Sequence, residues 1–327
     1  MSSSRVPWKQ HLGTVLRYGI AALILGCLVL YTAQSWSQLL HGHLWRLAWG
    51  ALIASLVLLL VAQAVMFAGW HLAFCVMGGS APLLLSARSY WVSQLAKYVP
   101  GKVVTVVARA YVLREADVRE ETAVAALLVE VAMVCVSAAV VGVACLPFVP
   151  GVVERLEAPW LVVAALSVPL GLLGVHPRLL QGLMNVAARL LKRERLQLTT
   201  SYPQLLLVAL VFCAAWVILG ASFAFLAQAL GYGRPPLALA IGGYALSWTI
   251  GFLAFFTPGG LGVREVVLTA VLALALPSAG AAALALAARL QTTLCEVLWN
   301  SALALYGRVA RARGAPAQPG PREGGGS

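Results

Sequence analysis

Charge is scarce in this sequence. Asp, Glu, Lys and Arg make up only 10% of its 327 residues, and acids are the rarer sign, 11 against 23 Lys and Arg. A water-exposed surface needs far more charge than this, which excludes a soluble globular chain. Clustered cysteine is also missing. The six cysteines (Cys27, Cys75, Cys135, Cys145, Cys213, Cys295) stand singly in apolar segments without CxxC spacing or a nearby histidine. They read as small packing residues and not as disulfides or metal ligands. The five histidines are dispersed, and His41-Gly42-His43 reads as a solvated loop. There is no HExxH, no aspartate-rich metal motif, no Gly-rich nucleotide loop and no pair of carboxylates close in sequence. No metal, cofactor, nucleic acid or catalytic site is therefore expected, although Glu130 or Glu265 remains open as a general base.

What the sequence has in abundance is apolar length. Hydrophobic residues make up 61% of it, and runs able to span the ~30 Å hydrocarbon core occupy 15–34, 48–77, 120–147, 159–176, 203–231 and 279–306. The first is too long for a signal-peptide core and reads as a retained helix. Two more apolar regions, 82–114 and 235–277, are broken at "YVPGK" and "FFTPGG". Proline removes a backbone donor and glycine tolerates unusual dihedrals, so each break predicts a helical hairpin inside the membrane layer. The second arm of the first, Lys102 to Arg114, reaches only about 20 Å as a helix, which makes that hairpin re-entrant. The second hairpin has longer arms and reads as either re-entrant or two full crossings.

Charge orients the chain. With the N-terminus inside, most Lys and Arg fall on the cytoplasmic side, which sets both termini there. The path is then two units of helix, helix, hairpin, helix with opposite orientation. The expected fold is thus an all-α polytopic membrane protein of two inverted-topology repeats, each with a Pro-Gly-broken hairpin. Its parts are a cytoplasmic N-terminus (1–14), a first repeat (15–147) and a second repeat (148–307). A basic, Pro/Gly-rich tail (308–327) is expected to be disordered. Residues 177–200, between the repeats, carry leucines at helical spacing and a Lys/Arg-rich end. They read as an amphipathic helix on the anionic cytoplasmic leaflet or as an exposed linker.

Five cations (Lys97, Lys102, Arg109, Arg264, Arg289) and three acids (Glu130, Glu265, Glu296) fall at membrane depth. Ionisable groups there are costly unless paired or hydrated, so they face a cavity, and the excess of cations suggests an anion such as a lipid phosphate. Lys97 and Lys102 flank the first Pro-Gly turn, with Arg109 on the face of Lys102. In "FFTPGGLGVRE", Gly259 and Gly260 stand near Arg264, whose guanidinium suits bidentate phosphate binding, and Glu265 reads as its positioner or as the partner of a hairpin lysine. Arg289, Thr293, Glu296 and Asn300 form one polar stripe on the last helix. Glu130 and Arg289 lie near the same depth and are a candidate buried pair.

At these residues the chain resembles the lysylphosphatidylglycerol synthase transmembrane-region family, which includes the flippase part of the multiple peptide resistance factor and the stand-alone YbhN-like and AglD-like proteins. The matching pieces are "QLAKYVPGKVVTVVARAYVLREADV" followed by Glu130, and "FFTPGGLGVREVVLTAVLA" followed by Glu296. The resemblance covers roughly Val15 to Tyr306. It implies a lipid translocase in the plasma (inner) membrane of a prokaryote, moving lipid between leaflets. The net cationic interior suits an anionic lipid, such as a polyprenyl-phosphate-linked sugar or a phospholipid, better than a lysyl-lipid. A scaffold or accessory subunit for a membrane glycosyltransferase, and less readily a lipid-modifying transferase, are the alternatives.

Overall fold

A long run of apolar residues without charge can satisfy its backbone in lipid only as a helix, and among the described residues that is what the apolar runs form. The computed structural model of the chain describes residues 47–96, 103–150, 158–190, 198, 200–254, 260 and 262–312. The expected first helix at 15–34, both Pro-Gly tips with Lys97, Lys102 and Gly259, and the basic run at 192–195 lie outside these residues. Among the described residues there is no strand.

The helices are α1 (Trp49–Val76), α2 (Leu83–Ala96), α3 (Val103–Leu113), α4 (Glu120–Ala144), α5 (Ala158–Gly174), α6 (Pro177–Leu190), α7 (Tyr202–Ala229), α8 (Leu237–Leu253), α9 (Val263–Leu272) and α10 (Ser278–Ala312). Four spans, Trp49–Val76, Glu120–Phe148, Tyr202–Ala229 and Gly280–Val309, are long and apolar enough to cross a bilayer. A fifth is added if α5 and α6, which meet at a bend of 70°, count as one. The arms of the two broken regions are shorter. At 1.5 Å per residue α2 and α3 reach about 21 and 16 Å, and α8 and α9 about 25 and 15 Å, so none matches the ~30 Å core alone.

α1 shows why the fold needs lipid. Ser55, Leu59, Ala62, Trp70, Ala73 and Phe74 line its buried stripe, while Trp49, Ile53, Val57 and Val61 repeat every four residues on its exposed face. A helix apolar on both faces is stable only with protein on one side and hydrocarbon on the other. α1 lies along α7, and the Ala-rich α4 packs against α1, α5, α7 and α8. Its alanines at 123, 125, 126 and 138 are buried and let neighbouring backbones approach closely, the usual membrane solution. α10 continues through Ala312, so residues 308–312, expected to start the disordered tail, are helical. Arg308 lies near its carboxyl end, where a cation complements the helix dipole.

α6 has one face on the protein, through Leu180, Met184 and Ala188, and leaves Leu179, Leu183 and Val186 exposed. Arg178, Gln181, Asn185 and Arg189 occupy the remaining arc.

Candidate functional site

α2 and α3 pack against each other, and α3 touches α4. In the core of this contact Arg109 is only 1% exposed. Its Nη1 donates to the Glu130 carboxylate of α4. Its Nε and Nη2 donate to Ser93 Oγ of α2 at 3.1 and 2.8 Å. Ser93 gives its own proton to the Tyr90 carbonyl at 2.7 Å, which turns its lone pairs toward the guanidinium. The faces of Trp70 and Tyr90 complete the cage, 4.7 and 5.2 Å from the guanidinium carbon. Arg109, expected to hold a phosphate, is thus enclosed by the protein's own groups.

The second broken region is built on a close approach of its arms. A Cβ on Gly260, at φ +72°, would lie 2.7 Å from the carbonyl oxygen of Gly251 on α8, and a Cβ on Gly251 would lie 2.9 Å from the Arg264 Cβ. The surroundings of Gly260 are therefore backbone, not an open cradle. Gly262, at φ +83°, begins α9, and its N–H donates to Glu265 Oε2 at 2.7 Å. That bond fixes the first turn of α9 and so aims Arg264 and Glu265. Glu265 Oε1 faces Arg289 Nε of α10 at 3.8 Å, both residues buried.

The depth-based pairing of Glu130 with Arg289 is corrected by this geometry: Glu130 meets Arg109, and Arg289 meets Glu265. α4 packs on α3 while α10 packs on α9, so lateral adjacency decides among groups of similar depth. Glu265 serves its own helix start and Arg289; the hairpin lysines, its expected alternative partners, lie outside the described residues.

Arg264 is half-buried and stands over the Tyr244 ring at 5.0 Å. Tyr244 is held from behind, its hydroxyl 3.1 Å from Thr292 Oγ1. Thr292 donates its own proton to the Ala288 carbonyl, so Tyr244 is the donor in that bond. Among the described residues no carboxylate forms an ion pair with Arg264. A shallow cleft with about 10 Å³ of room for a water-sized sphere is lined by Tyr244, Arg264, Glu265, Leu268, Ala288 and Arg289 among others. Two cations and one acid leave it one positive charge in excess.

α10 joins the two regions. Arg289 faces α9, and about one helical turn beyond the buried Glu296 a second set of contacts begins, on α2. Asn300 Nδ2 donates to the Trp91 carbonyl at 3.2 Å and to the Glu296 carbonyl at 2.9 Å, and Trp299 stacks on Trp91 at 5.1 Å with the rings 10° apart. Thr293, between them, donates to the Arg289 carbonyl.

Several partners were not singled out from sequence. Ser55 of α1, Ser222 of α7 and Gln291 of α10 form a buried cluster, with Ser55 Oγ donating to the Ser222 carbonyl at 2.8 Å and Gln291 Nε2 to Ser55 Oγ at 2.9 Å. Trp70, Tyr90, Ser93, Tyr244 and Thr292 belong to the arginine sites. The one sequence signal for them is a Tyr-x-x-Ser pattern that occurs in both first arms, at Tyr90–Ser93 and Tyr244–Ser247. It is too short to stand out before its contacts are known.

No curated protein and no solved structure matches the chain. The sequence profile of one family, described as the lysylphosphatidylglycerol synthase TM region, matches residues 15–299 and so covers both arginine sites and most of α10. By that match the chain belongs to the lysylphosphatidylglycerol synthase transmembrane-region family, a membrane domain associated with lipids.

Proposed function

We propose that the protein moves an anionic lipid between the leaflets of its membrane, holding the lipid phosphate at Arg264. The observation that carries this reading is an arginine at the cleft, braced on Tyr244 and half-exposed, with no carboxylate partner among the described residues. A guanidinium at membrane depth without a counter-charge is costly, and a phosphate that supplies two acceptor oxygens removes the cost. Arg289, with one side turned to Glu265, adds positive potential without closing the cleft. The acyl or prenyl tail remains in lipid, so that only the headgroup needs a polar route.

The two broken helix pairs supply the gates. In an inverted repeat of cytoplasmic-ended halves, exchanging the conformations of the two units exposes one site to each side in turn, with end states of similar energy. The short arms of α2, α3, α8 and α9 fit re-entrant hairpins better than full crossings. The lipid is a phospholipid or a polyprenyl-phosphate-linked sugar, whose diester phosphates share the chemistry that Arg264 recognises.

Purified protein in vesicles with a trace of fluorophore-labelled phosphatidylglycerol tests this. Wild type accelerates loss of inner-leaflet protection from an impermeant quencher, and Arg264→Ala abolishes the acceleration. Arg264→Lys restores only part of it, because an ammonium lacks the bidentate fork. An Arg264→Ala protein as fast as wild type excludes the reading.

A further inference from the structure

The two hairpins hold their arginines in the same way. On α2, Ser93 donates to the carbonyl of Tyr90, and Arg109 of the second arm stands over the Tyr90 ring at 5.2 Å. On α8, Ser247 donates to the carbonyl of Tyr244 at 2.8 Å, and Arg264 of the second arm stands over the Tyr244 ring at 5.0 Å. Each second arm is then tied to the helix after it by a buried ion pair, α3 to α4 through Arg109 and Glu130, α9 to α10 through Glu265 and Arg289. What differs is where the carboxylate stands. In the first hairpin it lies on the very arginine that covers the tyrosine. In the second it belongs to the next residue along, and Arg264 is left to the cleft.

We infer that Glu130 is a built-in counter-anion: it stands on Arg109 where a lipid phosphate stands on Arg264, so the first hairpin is a second phosphate site held shut by the protein's own carboxylate. This rests on the reading of Arg264 as a phosphate ligand. The chemistry of exchange is direct. Arg109 sends one N–H to Glu130 and two to the neutral Ser93 hydroxyl, with Trp70 and Tyr90 against its faces. Without Glu130 the guanidinium loses the carboxylate it is paired with, and an anion with two acceptor oxygens replaces what was lost. The first site stays closed to phosphate while Glu130 stands on Arg109. Arg109 is 1% exposed, so entry of a phosphate requires the α2–α3 arm to move off α4.

The test counts phosphatidylglycerol retained by the purified protein in native mass spectrometry after loading at a fixed lipid ratio. Wild type retains one equivalent, lost in Arg264→Ala. Glu130→Gln retains one more, and the double variant Arg264→Ala with Glu130→Gln regains the single equivalent that Arg264→Ala lost. Adding Arg109→Ala to that double variant removes it again. Glu130→Asp, which keeps the charge but draws it back by one methylene, shows a smaller gain and serves if the glutamine variant does not purify. Inorganic phosphate in excess displaces the added equivalent only if the site takes free phosphate as well as lipid. No gain in Glu130→Gln or Glu130→Asp, or a gain indifferent to Arg109→Ala, overturns the inference. Wild-type retention in Arg264→Ala overturns the reading of Arg264 instead, and the response of the Glu130 variants to Arg109→Ala is read independently of it.

Discussion

Arg109 and Glu130, twenty-one residues apart, form an ion pair in which both partners are buried, joining the second arm of the first hairpin to the helix that follows it. A buried pair of this kind contributes little beyond an apolar pair of the same size, but losing one partner strands the other in a low-dielectric interior. Arg109→Ala is therefore expected to lower stability by about 3–5 kcal/mol, while the double replacement by methionine recovers most of that loss. Thermal unfolding in detergent checks both, and equal destabilisation by the single and double variants would show the pair carries no coupling.

Ser55, Ser222 and Gln291 tie α1, α7 and α10 together in a region otherwise packed by apolar side chains. Interhelical hydrogen bonds of this kind average about 0.6 kcal/mol in membranes, so Ser222→Ala is expected to have a small effect. Ser55→Leu is different, because its larger side chain has no room against α7 and drives the helices apart. A lowered melting temperature for the leucine variant alone, with near-wild-type behaviour for Ser222→Ala, is the expected pattern in the same unfolding assay.

Gly260 holds a backbone conformation that other residues adopt only with strain, and its missing Cβ faces the Gly251 carbonyl at 2.7 Å. Gly260→Ala adds both the strain and the contact, at a cost on the order of 1–3 kcal/mol. Because the displaced element carries Arg264, lipid retention is expected to fall more than stability does. Unfolding and phosphatidylglycerol retention measured on one preparation separate the two effects.

α6 carries its apolar and polar arcs side by side, and Gly182 and Leu183 are both exposed neighbours on different arcs. If α6 lies in the headgroup region with Leu179, Leu183 and Val186 toward the acyl chains, cysteine at 183 is shielded from a water-soluble reagent. In vesicles, with the native cysteines replaced by alanine, Leu183→Cys is expected to react with an impermeant maleimide at least several-fold more slowly than Gly182→Cys. Equal rates would place the helix off the membrane.

Which stretches become helices was legible in the sequence because hydrophobicity is a local property. Each run at 48–77, 120–147, 203–231 and 279–306 states its own need for lipid or protein on all sides, and the Pro-Gly breaks mark where one helix stops. The inventory of buried charge was legible for the same reason, since Arg109, Glu130, Glu265, Arg289 and Glu296 sit in apolar segments. Their pairing was not. Depth along a helix can be counted from the sequence, but it does not say which helix stands beside which or how each is rotated. Depth matched Glu130 with Arg289, and only the packing of α3 on α4 and of α9 on α10 gave Glu130 to Arg109 and Arg289 to Glu265. The same lateral packing closed one tyrosine-braced arginine and left the other, Arg264, facing a cleft.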